Sequence, residues 1–252
     1  MNVCWFNIWR GETILRIDTV LLGIIYLIVQ LFANRIISSS TVGRFKWLSF
    51  SGGVAVSYVF VYVMPSLHKE QENFAKSGLT MDSELYVLGL IGLLTYYGVH
   101  KAAERASRKH EKGEGTFFWI QISFFAVYNM LISYIIFASD IEGVEAVFYG
   151  VAVGMHFMAV SHDMWREDSV KYQKLGRYLL ALGIIIGWTI GVFAPMPPFA
   201  LGVVFAFISG AMIMNVLKKE LPSEENAHFR TFLGGAIGYT LLTLALKWFF
   251  EW

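Results

Sequence analysis

The chain has 252 residues, of which 56% are hydrophobic and only 15% charged, with a formal net charge of +1 and a mean hydropathy of +0.54. A water-soluble domain of this length carries more charge and shorter apolar stretches, so the composition points to a polytopic membrane protein. The charge balance gives no reason to expect a nucleic acid or an acidic partner, and a single cysteine, Cys4, excludes an internal disulfide or a thiolate metal cluster.

Crossing the hydrocarbon core takes about 20 apolar residues. Taken in chain order, the apolar runs predict eight transmembrane helices, at 14–33, 46–66, 84–103, 117–138, 144–164, 177–194, 199–218 and 231–250. The segment before the first, "MNVCWFNIWRGE", is too polar for the apolar region of a cleavable signal. The expected fold is all-α, a single transmembrane domain over 1–252 without a separate soluble part.

Lys and Arg set the direction of the helices. Arg35, Arg44 and Lys46 follow the first, and Lys101, Arg105, Arg108, Lys109 and Lys112 follow the third. Arg166, Lys171, Lys174 and Arg177 follow the fifth, and Lys218, Lys219 and Arg230 the seventh. These four loops hold 15 of the 20 basic residues, while the opposite loops around Asp140 and Pro195 hold none. Both termini are therefore expected outside the cytoplasm.

Two stretches repeat: "SGGVAVSYVFVYVMPS", ending at Ser66, and "SGAMIMNVLKKELPS", ending at Ser223. In each, a glycine (Gly53, Gly210) stands twelve residues before a proline (Pro65, Pro222), and the prolines are 157 positions apart by subtraction. The second and seventh helices run in opposite directions, so the copies read as inverted repeats, about 14–103 and 177–250, around a central pair at about 117–164. Inverted repeats supply alternating access in many transporters.

Eight helices, outward termini, the 3+2+3 arrangement and these two segments together resemble the ZIP family of divalent-metal transporters. The second helix is similar to the family's small-residue, apolar run that closes in His-Leu-Leu-Pro-Glu. Glu220, Leu221 and Pro222 keep the acidic-Leu-Pro ending of its seventh, and "GGAIGYTLLTLAL" resembles its last. The resemblance implies a metal site in the fourth and fifth helices, from motifs close to His-Asn-x-Pro-Glu-Gly and His-Glu-x-Pro-Glu-Gly. Here "YNMLIS" puts Tyr128 for the histidine, keeps Asn129, and puts Leu131 and Ile132 for Pro and Glu. "HFMAVS" keeps His156 and puts Phe157 and Val160 for the glutamates, while Tyr62 and Ser66 stand for the second helix's His and Glu.

What the resemblance implies is therefore a reduced site, with His156 and Asn129 as metal ligands and His162 and Asp163 as weaker candidates. Asp163 follows His156 by two turns, about 10 Å along a helix, too far for both to hold one ion directly. A mid-span Asn or His also serves as an interhelical hydrogen-bond partner. Gln30 and Asp18 read as interface residues of the first helix, Gly52, Gly53, Gly210, Gly234, Gly235 and Gly238 as close-contact positions, and Pro65 and Pro222 as helix ends or kinks. The expected function is a multi-pass transporter in the cell membrane, with a zinc-like divalent ion as its leading substrate class and no resident cofactor. It is expected to contact the lipid bilayer, and a homo-oligomer is open. The alternatives are a transport-inactive scaffold or partner subunit and, less favoured, an intramembrane metal-dependent lipid hydrolase, for which one helix supplies all the obvious ligands.

Overall fold

The computed structural model describes residues 17–36, 41–76, 82–109, 115–138, 143–194, 196–221 and 228–250. Cys4, Asp140, Pro195, Pro222 and both termini lie outside the described residues, which are almost all helical and contain no strand. In chain order they form α1 (Ile17–Ile36), α2 (Thr41–Tyr58), a π-turn (Val59–Val63), α3 (Met64–Lys76), α4 (Glu84–Lys109), α5 (Thr116–Ala138) and α6 (Gly143–Glu167). There follow α7 (Ser169–Lys171), a π-turn (Tyr172–Gly176), α8 (Arg177–Phe193), α9 (Pro198–Asn215), a π-turn (Val216–Glu220) and α10 (Phe229–Phe250).

Local chemistry accounts for several boundaries. Asp168 caps α7 by accepting the Lys171 backbone N–H at 2.9 Å, and the Lys171 ammonium reaches its other oxygen at 2.6 Å. Those bonds hold the Asp168 carboxyl below its usual range. Pro198 opens α9, where its missing N–H costs no hydrogen bond. Gly115 precedes α5 at φ +114°, a conformation that disfavours any Cβ.

Among the described residues five helical stretches are long and apolar enough to cross a membrane: Phe45–Ala75, Thr116–Ala138, Ser169–Phe193, Pro198–Glu220 and Phe229–Phe249. Val20–Ala33 is a further apolar stretch within α1. Apolar side chains such as Leu21, Leu90, Phe193 and Leu241 stand exposed on the outer faces, as suits lipid contact. Around the central helices the core collects Tyr26, Tyr58, Tyr96, Phe118, Phe125, Ile132, Phe157 and Leu180.

Pro65 does not end its helix. The turn before it widens to i→i+5 bonding, with the Met64 N–H on the Val59 carbonyl, and α3 continues to Lys76. Proline offers no N–H to the Val61 carbonyl four residues back, and the Lys247 ammonium takes that oxygen at 3.4 Å. The second copy of the repeat has the same pattern, with the Leu221 N–H on the Val216 carbonyl at 3.3 Å. Residue for residue, Thr41, Tyr58, Val59 and Val63 correspond to Pro198, Asn215, Val216 and Glu220, always 157 positions apart by subtraction.

The helix crossings follow the same spacing. A Cβ on Gly53 would stand 2.1 Å from the Phe232 carbonyl oxygen, and one on Gly210 would stand 1.7 Å from that of Gly89. Gly235 meets the Phe50 carbonyl as Gly92 meets that of Phe207. The rings of Tyr58 and Tyr239 touch edge to face at 6.4 Å, and at the matching positions the Tyr96 hydroxyl donates to Asn215 Oδ1 at 2.7 Å. Thus α2 packs on α10 as α9 packs on α4, with α4 and α10 offset by 143 positions, Tyr96 to Tyr239 by subtraction. The central helices complete the set: α1 lies along α6, and α8 along α5. In the first of these Gln30 meets Ser161, and in the second Gly187 meets Ser133.

Candidate functional site

Four helical segments meet around a buried carboxylate. Glu220, the last residue of its π-turn, is 7% exposed, and His156 on α6 is 2% exposed. His156 Nδ1 lies 2.6 Å from Glu220 Oε1. Asn215, the last residue of α9, donates its Nδ2–H to the same oxygen at 3.0 Å and in turn accepts the Tyr96 hydroxyl from α4. A polar chain therefore runs from α4 through α9 and its π-turn to α6. In a low-dielectric bundle such a carboxylate persists only where donors offset its burial. With the Glu220 carboxylate ionised, Oε1 accepts from both Asn215 and His156 Nδ1–H. Glu220 Oε2 and His156 Nε2 have no hydrogen-bond partner among the described residues. The Tyr128 ring stands beside the imidazole, centroids 5.7 Å apart and at a steep angle.

Asn129 belongs to a separate chain. Its Nδ2–H donates to Gln30 Oε1 at 3.2 Å, and Gln30 Nε2 donates to the Ser161 hydroxyl. The Tyr172 hydroxyl adds a bond to the Gln30 backbone carbonyl at 3.4 Å. Gln30 is fully buried, so it is a central tie between α1, α5 and α6 and not an interface residue. Asn129 Oδ1 and Ser133 Oγ, one turn apart on α5, have no hydrogen-bond partner among the described residues.

His162 is buried and stacks on Trp165, ring centroids 5.8 Å apart. Asp163 instead lines a cavity of about 340 Å³ with Ser49, Ser51, Ala159, Arg166 and Glu220. Glu167, Lys218 and Lys219 stand around the same space. Of the four residues expected as ligands, His156 and Asn129 thus pair with different partners, and His162 and Asp163 have separate surroundings. Among the described residues no group of three or more His, Cys, Asp or Glu side chains could hold a metal ion.

Glu220 is a site residue that sequence reasoning does not single out, although it stands in the retained Glu-Leu-Pro ending. Gln30, Tyr96 and Asn215 escape it as well. The visible signal for Asn215 is an amide inside an apolar run, the same signal that marks Asn129.

Fold and site together define an all-helical protein whose apolar helices suit a lipid bilayer and whose interior holds two polar chains. Residues 95–165, from the second half of α4 through α5 to most of α6, match a family described as "Protein of unknown function (DUF3270)". The matched stretch contains Tyr96, Asn129, His156, His162 and Asp163 and stops short of Asn215 and Glu220. No curated protein matches the chain.

Proposed function

We propose that the protein is an integral membrane transporter for a small cation, built as a ZIP-like bundle of eight helices in a 3+2+3 inverted repeat, with both termini outside the cell membrane. The observation that carries this reading is the shared register of α2 and α9. Both begin, widen into a π-turn and present a close-contact glycine at positions 157 apart. Two halves with matching breaks can exchange conformations, which opens a central site to each side in turn. The central site in this reading is the His156–Glu220 pair, reached from the cytoplasmic side through the cavity at Asp163. The work is binding and release, so the reading is of a carrier and not of an enzyme.

The ZIP resemblance makes a zinc-like divalent ion the first cargo to test. Zinc and cadmium are titrated calorimetrically into the purified protein and into His156→Ala. Micromolar binding by the wild type, weakened at least about tenfold in the variant, supports a reduced metal site at His156. No binding by the wild type removes divalent metal as the cargo. One observation favours a second reading, a transport-inactive scaffold or partner subunit: His156 and Asn129 already have Glu220 and Gln30 as partners within the chain. Failure of reconstituted vesicles to move any cation would support that reading instead.

A further inference from the structure

We propose that the His156–Glu220 pair, with the cavity that Glu220 lines, is a binding site for a primary ammonium group: the ammonium ion itself or a short amine. This rests on the carrier reading above and names the cargo of the same site. Donors and acceptors at the pair do not balance. Both donors near the carboxylate, His156 Nδ1–H and Asn215 Nδ2–H, are already spent on Oε1. Glu220 Oε2 and His156 Nε2 find no partner among the described residues, and with the ring proton on Nδ1 both are acceptors. In the adjoining cavity the Ser51 hydroxyl gives its proton to the Leu48 carbonyl at 3.1 Å, so its oxygen too is left to accept.

Around the cavity Asp163, Glu167 and Glu220 stand with Arg166, Lys218 and Lys219, three acids against three bases, so the lining does not repel a single positive charge. A dehydrated dication asks for four or more ligating atoms. The described residues bring no group of three candidate ligands together. A primary alkylammonium carries one charge and three N–H donors, the same set as a lysine head, and the ammonium ion carries four. The cavity, about 340 Å³, has room for a short amine.

The test is a calorimetric titration of the purified protein with ammonium, methylammonium, tetramethylammonium, potassium and zinc chlorides. Ammonium and methylammonium are expected to bind at least about tenfold more tightly than tetramethylammonium or potassium, which match the charge but have no N–H to donate. Glu220→Gln should lose about tenfold or more in methylammonium affinity. His156→Asn, which retains an N–H near the Nδ1 position and removes the Nε2 acceptor, should weaken methylammonium binding as well. Glu72→Gln, on the exposed face of α3, should leave it unchanged. If Glu220→Gln does not fold, as shown by circular dichroism and elution volume, His156→Asn decides the matter. Equal binding of tetramethylammonium overturns the proposal. So does zinc binding without ammonium binding, or methylammonium affinity unchanged in every folded site variant. Methylammonium counterflow in proteoliposomes separates the two readings. Selective binding without flux keeps the site and removes the carrier, whereas zinc flux without ammonium binding keeps the carrier and removes the ammonium site.

Discussion

Gln30 accepts from Asn129 and donates to Ser161, so one side chain ties α1 to both central helices. Replacing it with leucine takes the Asn129 amide's acceptor and one of the Ser161 hydroxyl's partners, leaving the latter its bond to Tyr172. Interhelical hydrogen bonds in membranes contribute roughly 0.6 kcal/mol each and up to about 1.7. Gln30→Leu should therefore destabilise the protein by about 1–3 kcal/mol, and a melting curve in detergent should show its midpoint a few degrees lower. By position in the chain Gln30 carries little weight, because it stands near the end of the predicted first span. In the structure α1 runs on to Ile36, and the residue sits within the bundle. His156 and Asn129 are legible for the opposite reason: each is polar in the middle of an apolar run, where few positions are solvated. What spacing along the chain does not show is the partner of each. Glu220 and Gln30 lie 64 and 99 positions from the residues they bond, and only the packing of α6 on the α9 π-turn, and of α1 on α5, brings them together.

Helix pairs in this molecule approach through glycine. Gly183 and Gly187 on α8 leave room for the carbonyls of Ala126 and Met130, where a Cβ would come within 2.2 and 2.1 Å. Gly210 is tighter still against Gly89. Backbone cannot yield as a side-chain tip can, so Gly210→Val should force α9 from α4 at a cost of about 1–3 kcal/mol or more. Gly234→Ala and Gly238→Ala on α10 meet open space and should shift the melting midpoint little, or raise it through better helix propensity. Thermal unfolding of the three variants side by side checks the contrast. Glycine in an apolar run is a sound sequence signal for close packing at Gly53, Gly210 and Gly235. It does not distinguish those from Gly234 and Gly238, because neighbouring residues on a helix point about 100° apart. The π-turns are not legible at all. A run such as "VFVYV" satisfies an α-helical pattern equally well, and the π-turn at Tyr172–Gly176 has no proline after it to mark the place.

Across the whole molecule, the orientation proposed from the basic loops has its own test. In a Cys4→Ser background, Asp82→Cys should react with a membrane-impermeant maleimide on intact cells. Val170→Cys, at a residue 60% exposed, should react only after permeabilisation. The reverse pattern would invert the bundle and put the Asp163 cavity on the outer side. Helical class and the paired segments are legible from composition and from a short repeated motif; the pairing of α2 with α10 and of α4 with α9 is not, since nothing in an apolar helix names its neighbour. The two matching π-turns also carry a history. Each holds one residue more than the helical ladder it interrupts, and the two extra residues stand at the same count from the start of their helices. Had the two halves arisen by duplication of a shorter ancestral gene, a single insertion copied with it would leave this mark. Among descendants of that gene, a change of length at 59–63 should be accompanied by the same change at 216–220, because an unmatched change would turn one half of the molecule out of step with the other.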